Sequence, residues 1–269
     1  MPELPEVETV RRSLAPIVGQ TIAALDVLEP RLRQRVTADL SKRAVGQQVV
    51  RLDRCGKYLL MHLASGDAVL AHLGMSGTFT IVPVSTPLEV HDHVRFLFTN
   101  GSALVFNDPR RFGLIMAGPP ESFAELAHMG PDPLSPEFSP AWLRQLTRGR
   151  KRPVKNLLMD QRLVAGIGNI YANEILFEAG VRPSRQARKL RLAELDLLHA
   201  ATRRVLADAI ASGGSSISDY RDGSGRPGYF QLTFRVYDRG GEPCLKCATK
   251  VRRMVHAGRS SFYCPKCQR

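Results

Sequence analysis

The segment VRFLFTNGSALVFN, residues 94–107, indicates the fold of the first half of this chain. Two runs of β-branched, aromatic and aliphatic residues, 94–99 and 103–107, flank the pair Asn100-Gly101. An Asn-Gly pair between two such runs is typical of a type I′ turn, because both central residues of that turn need a positive φ. The segment therefore predicts an antiparallel β-hairpin.

Further short apolar runs surround this hairpin, with turn residues between them. We expect strands at 21–28, 48–53, 58–63, 68–73, 78–82 and 114–116, and a second hairpin turn at 65–67. Residues 3–17 carry apolar side chains at helical spacing before Gly19, which predicts one N-terminal helix. Strands without intervening helices form antiparallel sheets, so we expect a β-sandwich.

The pattern changes after residues 130–140, a segment with four prolines that we interpret as a linker. Helical spacing then predicts four helices, at 142–146, 154–159, 170–178 and 192–210. A glycine-rich loop is expected at 213–228.

The excess of basic over acidic residues lies in the second half of the chain. Residues 1–134 hold 13 basic and 14 acidic residues, whereas 135–234 hold 16 and 9, and 235–269 hold 9 and 2. A net charge of +13 with this distribution favours a polyanion such as nucleic acid, with a solvated basic face as the alternative. A hydrophobic content of 43% over 269 residues excludes a disordered tail protein. Because no apolar run is long enough for a membrane span and the start is acidic, we expect a soluble cytoplasmic protein.

Four of the five cysteines have the spacing of a zinc site. Cys244 and Cys247 form one C-x2-C pair, and Cys264 and Cys267 form a second pair 16 residues later. This spacing is typical of a structural zinc ion held by four thiolates. Two disulfides are the alternative, and they fit poorly with a chain that lacks an export signal. Cys55 is expected to be an ordinary packed thiol.

Two further segments suggest chemistry. Removal of Met1 would expose the secondary amine of Pro2, which is a usable nucleophile toward an aldehyde-level carbon, with Glu3 beside it as a proton carrier. Ordinary capping of a helix start explains the same residues. The segment GIGNIYA, 166–172, follows a basic stretch and places Asn169 at an expected helix N-cap, where free N–H groups hold a phosphate.

These features together resemble the bacterial formamidopyrimidine-DNA glycosylases, which excise oxidised purines. The motifs that carry the resemblance, in chain order, are PELPEVE (2–8), KYLL (57–60), HLGMSG (72–77), HDH (91–93), NDPRRFG (107–113), GIGNIYANE (166–174) and the four cysteines. The family implies an α+β fold with three parts. An N-terminal helix and an antiparallel β-sandwich would span 1–132, a helix-two-turns-helix DNA-binding domain with a lesion-capping loop 133–234, and a zinc-finger β-hairpin 235–269.

The resemblance also implies the roles of single residues. Pro2 would form a Schiff base at C1′ and Glu3 would protonate the opening sugar. Lys57 would donate a proton in β-elimination, and Arg259 would do so in δ-elimination. Glu6 would be a buried partner that orders the N-terminal helix.

Further residues would hold the DNA around an extruded nucleotide. The void left in the stack would be filled by Met75, Arg110 and Phe112. Burial in the core is the alternative for Met75 and Phe112. Phosphate contacts would come from His91, Lys151, Lys155, Asn169, Tyr237 and Arg259. Damaged double-stranded DNA would then lie in a cleft between the two halves of the chain.

The function expected from these residues is base-excision repair: a monomeric, bifunctional DNA N-glycosylase and abasic-site lyase with one structural Zn²⁺ and no organic cofactor. Two alternatives stay open. The sister family that removes oxidised pyrimidines typically starts PEGPE where this chain has PELPE. A non-catalytic, zinc-stabilised DNA-binding protein would not need a free N-terminal proline.

Overall fold

The computed structural model describes residues 1–216, 222–256 and 258–269. The chain forms two compact units, Met1–His128 with Ser212–Tyr229, and Met129–Ala211 with Phe230–Arg269. The expected capping segment, 212–229, therefore groups with the first unit, and the three-part division stays a prediction. Within the described residues, every helix is too short or too polar to cross a membrane.

Eight strands of the first unit form two four-stranded sheets. Their bounds are β1 (Ile22–Val27), β2 (Val49–Cys55), β3 (Tyr58–Leu63), β4 (Ala68–His72), β5 (Thr78–Pro83), β6 (Asp92–Phe98), β7 (Ser102–Asn107) and β8 (Leu114–Gly118). One sheet has the order β1-β6-β7-β5 and the other β2-β3-β4-β8. All neighbouring strands are antiparallel, and each lies within two residues of its expected position. The predicted antiparallel sandwich is confirmed.

The core of this unit lies between the sheets and under the first helix. Helix α1 (Leu4–Ser13) is followed by a short 3₁₀ turn, so the expected helix over 3–17 ends early. The helix contributes Val7 and Val10 to one apolar cluster that also includes Phe96 and Phe106 from adjacent strands. Both phenylalanines are fully buried, which makes the sandwich a rigid support for the loops at its edges.

The hairpin between β6 and β7 exists, but its turn is not type I′. Only Gly101 has a positive φ, +81°, whereas a type I′ turn also needs one at Asn100. The Gly101 N–H instead donates to the Phe98 carbonyl at 3.1 Å, which closes a turn one residue earlier. The Asn100 side chain accepts the Ser102 N–H at 3.0 Å, so the asparagine serves as a side-chain acceptor rather than as a left-handed residue.

One short helix, α2 (Leu40–Ala44), was not expected from the sequence. Five residues are too few to establish a helical period, so periodicity alone cannot reveal such an element. Leu40 and Ala44 are buried in the sandwich core, which stabilises the helix by tertiary packing.

The second unit contains four helices and a β-hairpin. The helices are α3 (Pro140–Thr147), α4 (Val154–Leu158), α5 (Asn169–Glu178) and α6 (Leu192–Ala211), and the strands are β9 (Arg252–His256) and β10 (Arg259–Tyr263). Ser139 is the N-cap of α3, and its hydroxyl accepts the Trp142 N–H at 3.1 Å. All four helices match their expected positions, so the predicted α+β class is confirmed.

Replacing Phe106 with alanine should lower the free energy of unfolding of the first unit by about 3–5 kcal/mol, because the change removes a fully buried ring. The matched control is Phe112→Ala, since Phe112 is 46% exposed, and it should cost less than about 1 kcal/mol. Urea unfolding of the three proteins measures both values. Equal losses in the two variants would contradict the proposed core.

Candidate functional site

The start of α1 is buried, although the chain begins there. Pro2 and Glu3 are buried, whereas Met1 is 45% exposed. Glu3 is the N-cap of the helix, and Glu6 Oε2 accepts its backbone N–H at 2.8 Å. The expected role of Glu6 as a buried residue that orders the helix start agrees with this bond. Ordinary capping chemistry is therefore present, and it holds the N-terminus in one position.

Charged side chains surround the α-amine. Burial lowers the pKa of the Met1 amine, while Glu3 and Glu6 raise it and Lys57 and Arg110 lower it. The net lowering increases the neutral fraction of an amine near pH 7, and the neutral form is the nucleophile. The first unit thus brings Glu3, Lys57 and Arg110 near the N-terminal amine.

Lys57 occupies a tight turn between β2 and β3. The flanking residues Cys55 and Tyr58 are paired across the hairpin, and Gly56 has φ +57°, the pattern of a type II′ turn. The Lys57 side chain is 6% exposed. A two-residue turn allows little backbone freedom, so the backbone of Lys57 is held in a fixed place.

Glu6 also binds the segment that follows α6. Its Oε1 accepts the Ser215 N–H at 2.7 Å, and a Cβ on Gly214 would lie only 3.0 Å from that oxygen. Further along the segment, the Gly223 N–H donates to Ser13 Oγ at 2.8 Å. The expected capping loop is therefore fastened to α1 on both sides of residues 217–221, which lie outside the described residues.

A single buried carboxylate joins the loops of the HLGMSG and NDPRRFG motifs. Asp108 is fully buried; its Oδ1 accepts the Ser76 hydroxyl at 2.6 Å, and its Oδ2 accepts the Gly113 N–H at 2.7 Å. Gly74 lies against the other loop, since a Cβ there would be 2.4 Å from the Phe112 carbonyl carbon. The two loops form one packed structure.

The three expected void-filling side chains project from these loops. Met75 is 41% and Phe112 46% exposed, which excludes the alternative that they belong to the core. The Arg110 guanidinium lies 5.0 Å from the centre of the Phe112 ring, a cation–π contact. Their grouping on one edge of the sandwich fits the predicted role.

Two histidines near these loops behave differently. His72 is buried and its Nδ1 accepts the Gly74 N–H at 2.9 Å. Burial first, and then Arg33 and Lys57, lower the pKa of His72 to about 4, so this imidazole is neutral at pH 7. His91, an expected phosphate contact, is exposed with φ +75°, and its carbonyl accepts the Asp108 N–H at 3.1 Å.

Helix α5 organises the second unit around its polar residues. Gly168 rather than Asn169 is the N-cap, and Asn169 is the first helical residue. Asn173 Oδ1 accepts the Phe262 N–H at 2.8 Å, which attaches β10 to the helix. Glu174 accepts the N–H groups of three consecutive residues, Arg235 at 2.8 Å, Val236 at 3.0 Å and Tyr237 at 2.7 Å.

Three expected phosphate ligands consequently meet at one open pocket of about 510 Å³. Asn169, Tyr237 and Arg259 all line it. Asn169 Oδ1 is buried and has no partner among the described residues, so this acceptor needs a donor such as water, whereas the amide nitrogen is the atom that would bind a phosphate. The pocket is the clearest candidate for anion binding in the second unit.

The remaining two expected phosphate ligands lie in different surroundings. Lys151 is exposed. Lys155 is 2% exposed, and its Nζ donates to the Ser260 carbonyl at 2.8 Å and to Ser261 Oγ at 2.7 Å. A direct phosphate contact by Lys155 stays a prediction, whereas its support of β10 is observed.

The four paired cysteines form a compact cluster. Their Sγ atoms lie within 4.8 Å of one another, and the hydrogen-bonded pairs are 3.4–3.9 Å apart. Four thiolates at about 2.3 Å from a tetrahedral zinc ion would be about 3.8 Å apart, so the donors fit one structural Zn²⁺. All five cysteines are unbridged, which excludes the disulfide alternative.

Comparison with known proteins agrees with this arrangement. Residues 1–115 match the formamidopyrimidine-DNA glycosylase N-terminal domain, 129–221 the helix-two-turns-helix domain of the same enzymes, and 241–269 a zinc finger found in these enzymes and in isoleucyl-tRNA synthetases. The formamidopyrimidine-DNA glycosylase of Hahella chejuensis is 49% identical, with both chains covered completely. The chain belongs to the formamidopyrimidine-DNA glycosylase family. It is therefore a DNA glycosylase of base-excision repair.

Solved structures of family members have the same fold. A mutant of the Lactococcus lactis glycosylase, in complex with DNA containing Fapy-dG, superimposes with a TM-score of 0.92 at 33% identity over 100% of both chains. The wild-type Lactococcus lactis glycosylase in complex with DNA containing an oxidised pyrimidine gives 0.90 at 32% identity, also over 100% of both chains.

Asp108, Asn173 and Glu174 lie in motifs that the sequence analysis identifies, but the sequence analysis predicts no role for these three residues. For the helix a signal was available, because Asn173 and Glu174 lie in the interior of α5 between the apolar runs 170–172 and 175–177. For Asp108 the signal is weaker, since an Asp before Pro in a turn is common for local reasons. The Glu6–Ser215 bond joins residues 209 positions apart, and local sequence does not predict such a pairing.

Replacing Cys264 with serine should release the zinc ion and weaken binding of duplex DNA, because Arg259 lies on the hairpin that the cysteines close. The matched control is Cys55→Ser, a thiol in the first unit that lies outside the cluster. Metal content by mass spectrometry and duplex affinity measure the two effects. Full zinc content and unchanged affinity in Cys264→Ser would count against a zinc role.

Proposed function

We propose that this enzyme removes oxidised purines, 8-oxoguanine and formamidopyrimidines, from duplex DNA through a Schiff base at Pro2, followed by β,δ-elimination. The observation that supports the proposal is the buried position of Pro2 at the start of α1, directly after an amine whose surroundings include Glu3, Glu6 and Lys57. Removal of Met1 would expose the secondary amine of Pro2 beside the same charged groups. A secondary amine gives an iminium ion that stays cationic, because its nitrogen has no further proton to lose.

The chemistry follows from that iminium. The Pro2 nitrogen attacks C1′ and loses its proton, and the bond from C1′ to the damaged base breaks with its electron pair leaving on the base, which takes up a proton. Glu3 donates a proton to the ring oxygen, so the sugar opens and the C1′–N bond becomes an iminium. This electron sink acidifies the proton at C2′, whose loss expels the 3′-phosphate. A second elimination then expels the 5′-phosphate.

Two cations would assist these eliminations. Lys57, held in its tight turn near the α-amine, would donate a proton in β-elimination. Arg259 would donate one in δ-elimination and bind a phosphate. Its position in the pocket with Asn169 and Tyr237 supports phosphate binding.

Access to C1′ requires that the damaged nucleotide leave the base stack, at a cost of a few kcal/mol. Met75, Arg110 and Phe112 would offset part of that cost by filling the void. Their exposure and their common support by Asp108 favour this role. His91, Lys151, Asn169 and Tyr237 would hold phosphates, and Lys155 would act either directly or through β10.

A second substrate class needs a test of its own. The Lactococcus lactis relative that has been solved with an oxidised pyrimidine in its DNA favours some activity on such lesions. The PELPE start and Met75 favour purines for this chain.

We further propose that the enzyme acts as a monomer in the cytoplasm, because a single chain supplies every residue to which a role is assigned above.

Borohydride should trap a covalent adduct when the enzyme without Met1 meets a duplex with one 8-oxoguanine opposite cytosine, and mass spectrometry should locate the adduct at Pro2. Pro2→Gly should abolish strand cleavage but retain duplex binding, because a primary amine on a flexible glycine is a poorer and less well-placed nucleophile. Pro16→Gly, an exposed proline after α1, is the matched control and should retain both.

Recovery of intact duplex and free protein would overturn the purine assignment. A duplex with thymine glycol is then the next substrate, and trapping there would favour the oxidised-pyrimidine class. Binding of both duplexes without cleavage of either would leave a non-catalytic DNA-binding protein. Normal strand cleavage by Pro2→Gly would overturn the Schiff base at Pro2.

A further inference from the structure

Arg253 lies in the pocket that holds Arg259, and the function proposed above gives it no role. It is exposed on β9, and its side chain reaches across the hairpin to β10. Nε and Nη2 of Arg253 both donate to Ser260 Oγ, at 3.2 and 3.0 Å. Arg253 and Arg259 both line the pocket, so the two guanidinium groups belong to one small surface.

The contact with Ser260 orients the Arg253 guanidinium and leaves other N–H groups of that guanidinium available to bind an anion. A guanidinium has five N–H groups in a rigid plane, and the hydroxyl occupies one edge of that plane. Among the residues that the structure describes, Nη1 has no partner. An arginine that is already oriented loses less side-chain entropy when it binds an anion, which is the advantage of preorganisation.

Ser260 is itself held from the opposite side. The buried Lys155 ammonium donates to the Ser260 carbonyl at 2.8 Å and to Ser261 Oγ at 2.7 Å. Helix α4 therefore fixes the backbone of β10, and that backbone fixes the hydroxyl that orients Arg253. The chain of contacts gives the buried lysine a function that does not require it to reach DNA.

The pocket has the charge and the size for more than one phosphate. Its charged lining consists of Arg253 and Arg259 with one carboxylate, Asp238. Its volume of about 510 Å³ is far larger than a single phosphate group. We propose that Arg253 binds a second backbone phosphate of the DNA strand, next to the phosphate that Arg259 contacts. The inference rests on the proposed function only in placing DNA at this pocket.

Salt dependence of duplex binding tests the proposal. Each phosphate that a protein neutralises contributes about 0.9 to the slope of log affinity against log salt. Arg253→Ala should therefore reduce the slope by about 1 and weaken binding about three- to tenfold near 0.1 M salt, equally for damaged and undamaged duplexes. Arg253→Lys should keep the slope but lose part of the affinity, because an ammonium lacks the planar edge that contacts Ser260.

The matched control is Arg252→Ala, because it removes the same charge from the neighbouring position, and Arg252 is not among the residues that line the pocket. It should leave the slope unchanged. Ser260→Ala should weaken binding in the wild-type background and have no further effect in Arg253→Ala, since the hydroxyl acts through the arginine. Zinc content confirms that each variant keeps the folded hairpin.

Equal changes of slope in Arg253→Ala and Arg252→Ala would overturn the inference, because the effect would then come from general charge. An unchanged slope in Arg253→Ala would overturn it as well. These outcomes can be told apart from failure of the proposed function, because binding to undamaged duplex does not involve the Schiff base. If Arg253→Ala changes the slope as expected but borohydride traps no adduct, the proposed chemistry alone is contradicted.

Discussion

Buried oxygen acceptors that bind backbone N–H groups hold the irregular parts of this molecule in place. Glu6 accepts from two segments, Glu174 from three consecutive residues, and Asp108 from Gly113 together with the Ser76 hydroxyl. Loops lack the regular ladders that satisfy backbone groups elsewhere, and an unpaired buried N–H costs about 1–3 kcal/mol. Each carboxylate therefore determines where a functional loop can lie.

These acceptors work because rigid elements carry them. Glu6 projects from α1, which packs in the sandwich core, and Glu174 projects from α5, whose surrounding residues are almost entirely buried. Burial raises the pKa of Glu174, whereas the three N–H groups favour its charged form. A carboxylate that leaves water keeps its charge only when donors replace that water, so the loop and the acid stabilise each other.

Local patterns predicted most of the fold and only part of the site. The strands of the sandwich and the longer helices follow from apolar spacing, and the four cysteines reveal zinc because the ligand spacing is itself local. Helix α2 and the turn at Gly101 could not be predicted, since packing and one side-chain acceptor decide them. The contacts of Asp108 and Lys155 depend on residues 32 and about a hundred positions away, and a single sequence does not pair such residues.

The joint between the HLGMSG and NDPRRFG loops has a mechanical consequence. Because Asp108 binds both loops and Gly74 lies against the backbone of Phe112, the two loops can only move together. Met75 and Phe112 are therefore carried by one stiff part of the protein. In the proposed function, the two side chains would enter the base stack together in one step rather than one after the other.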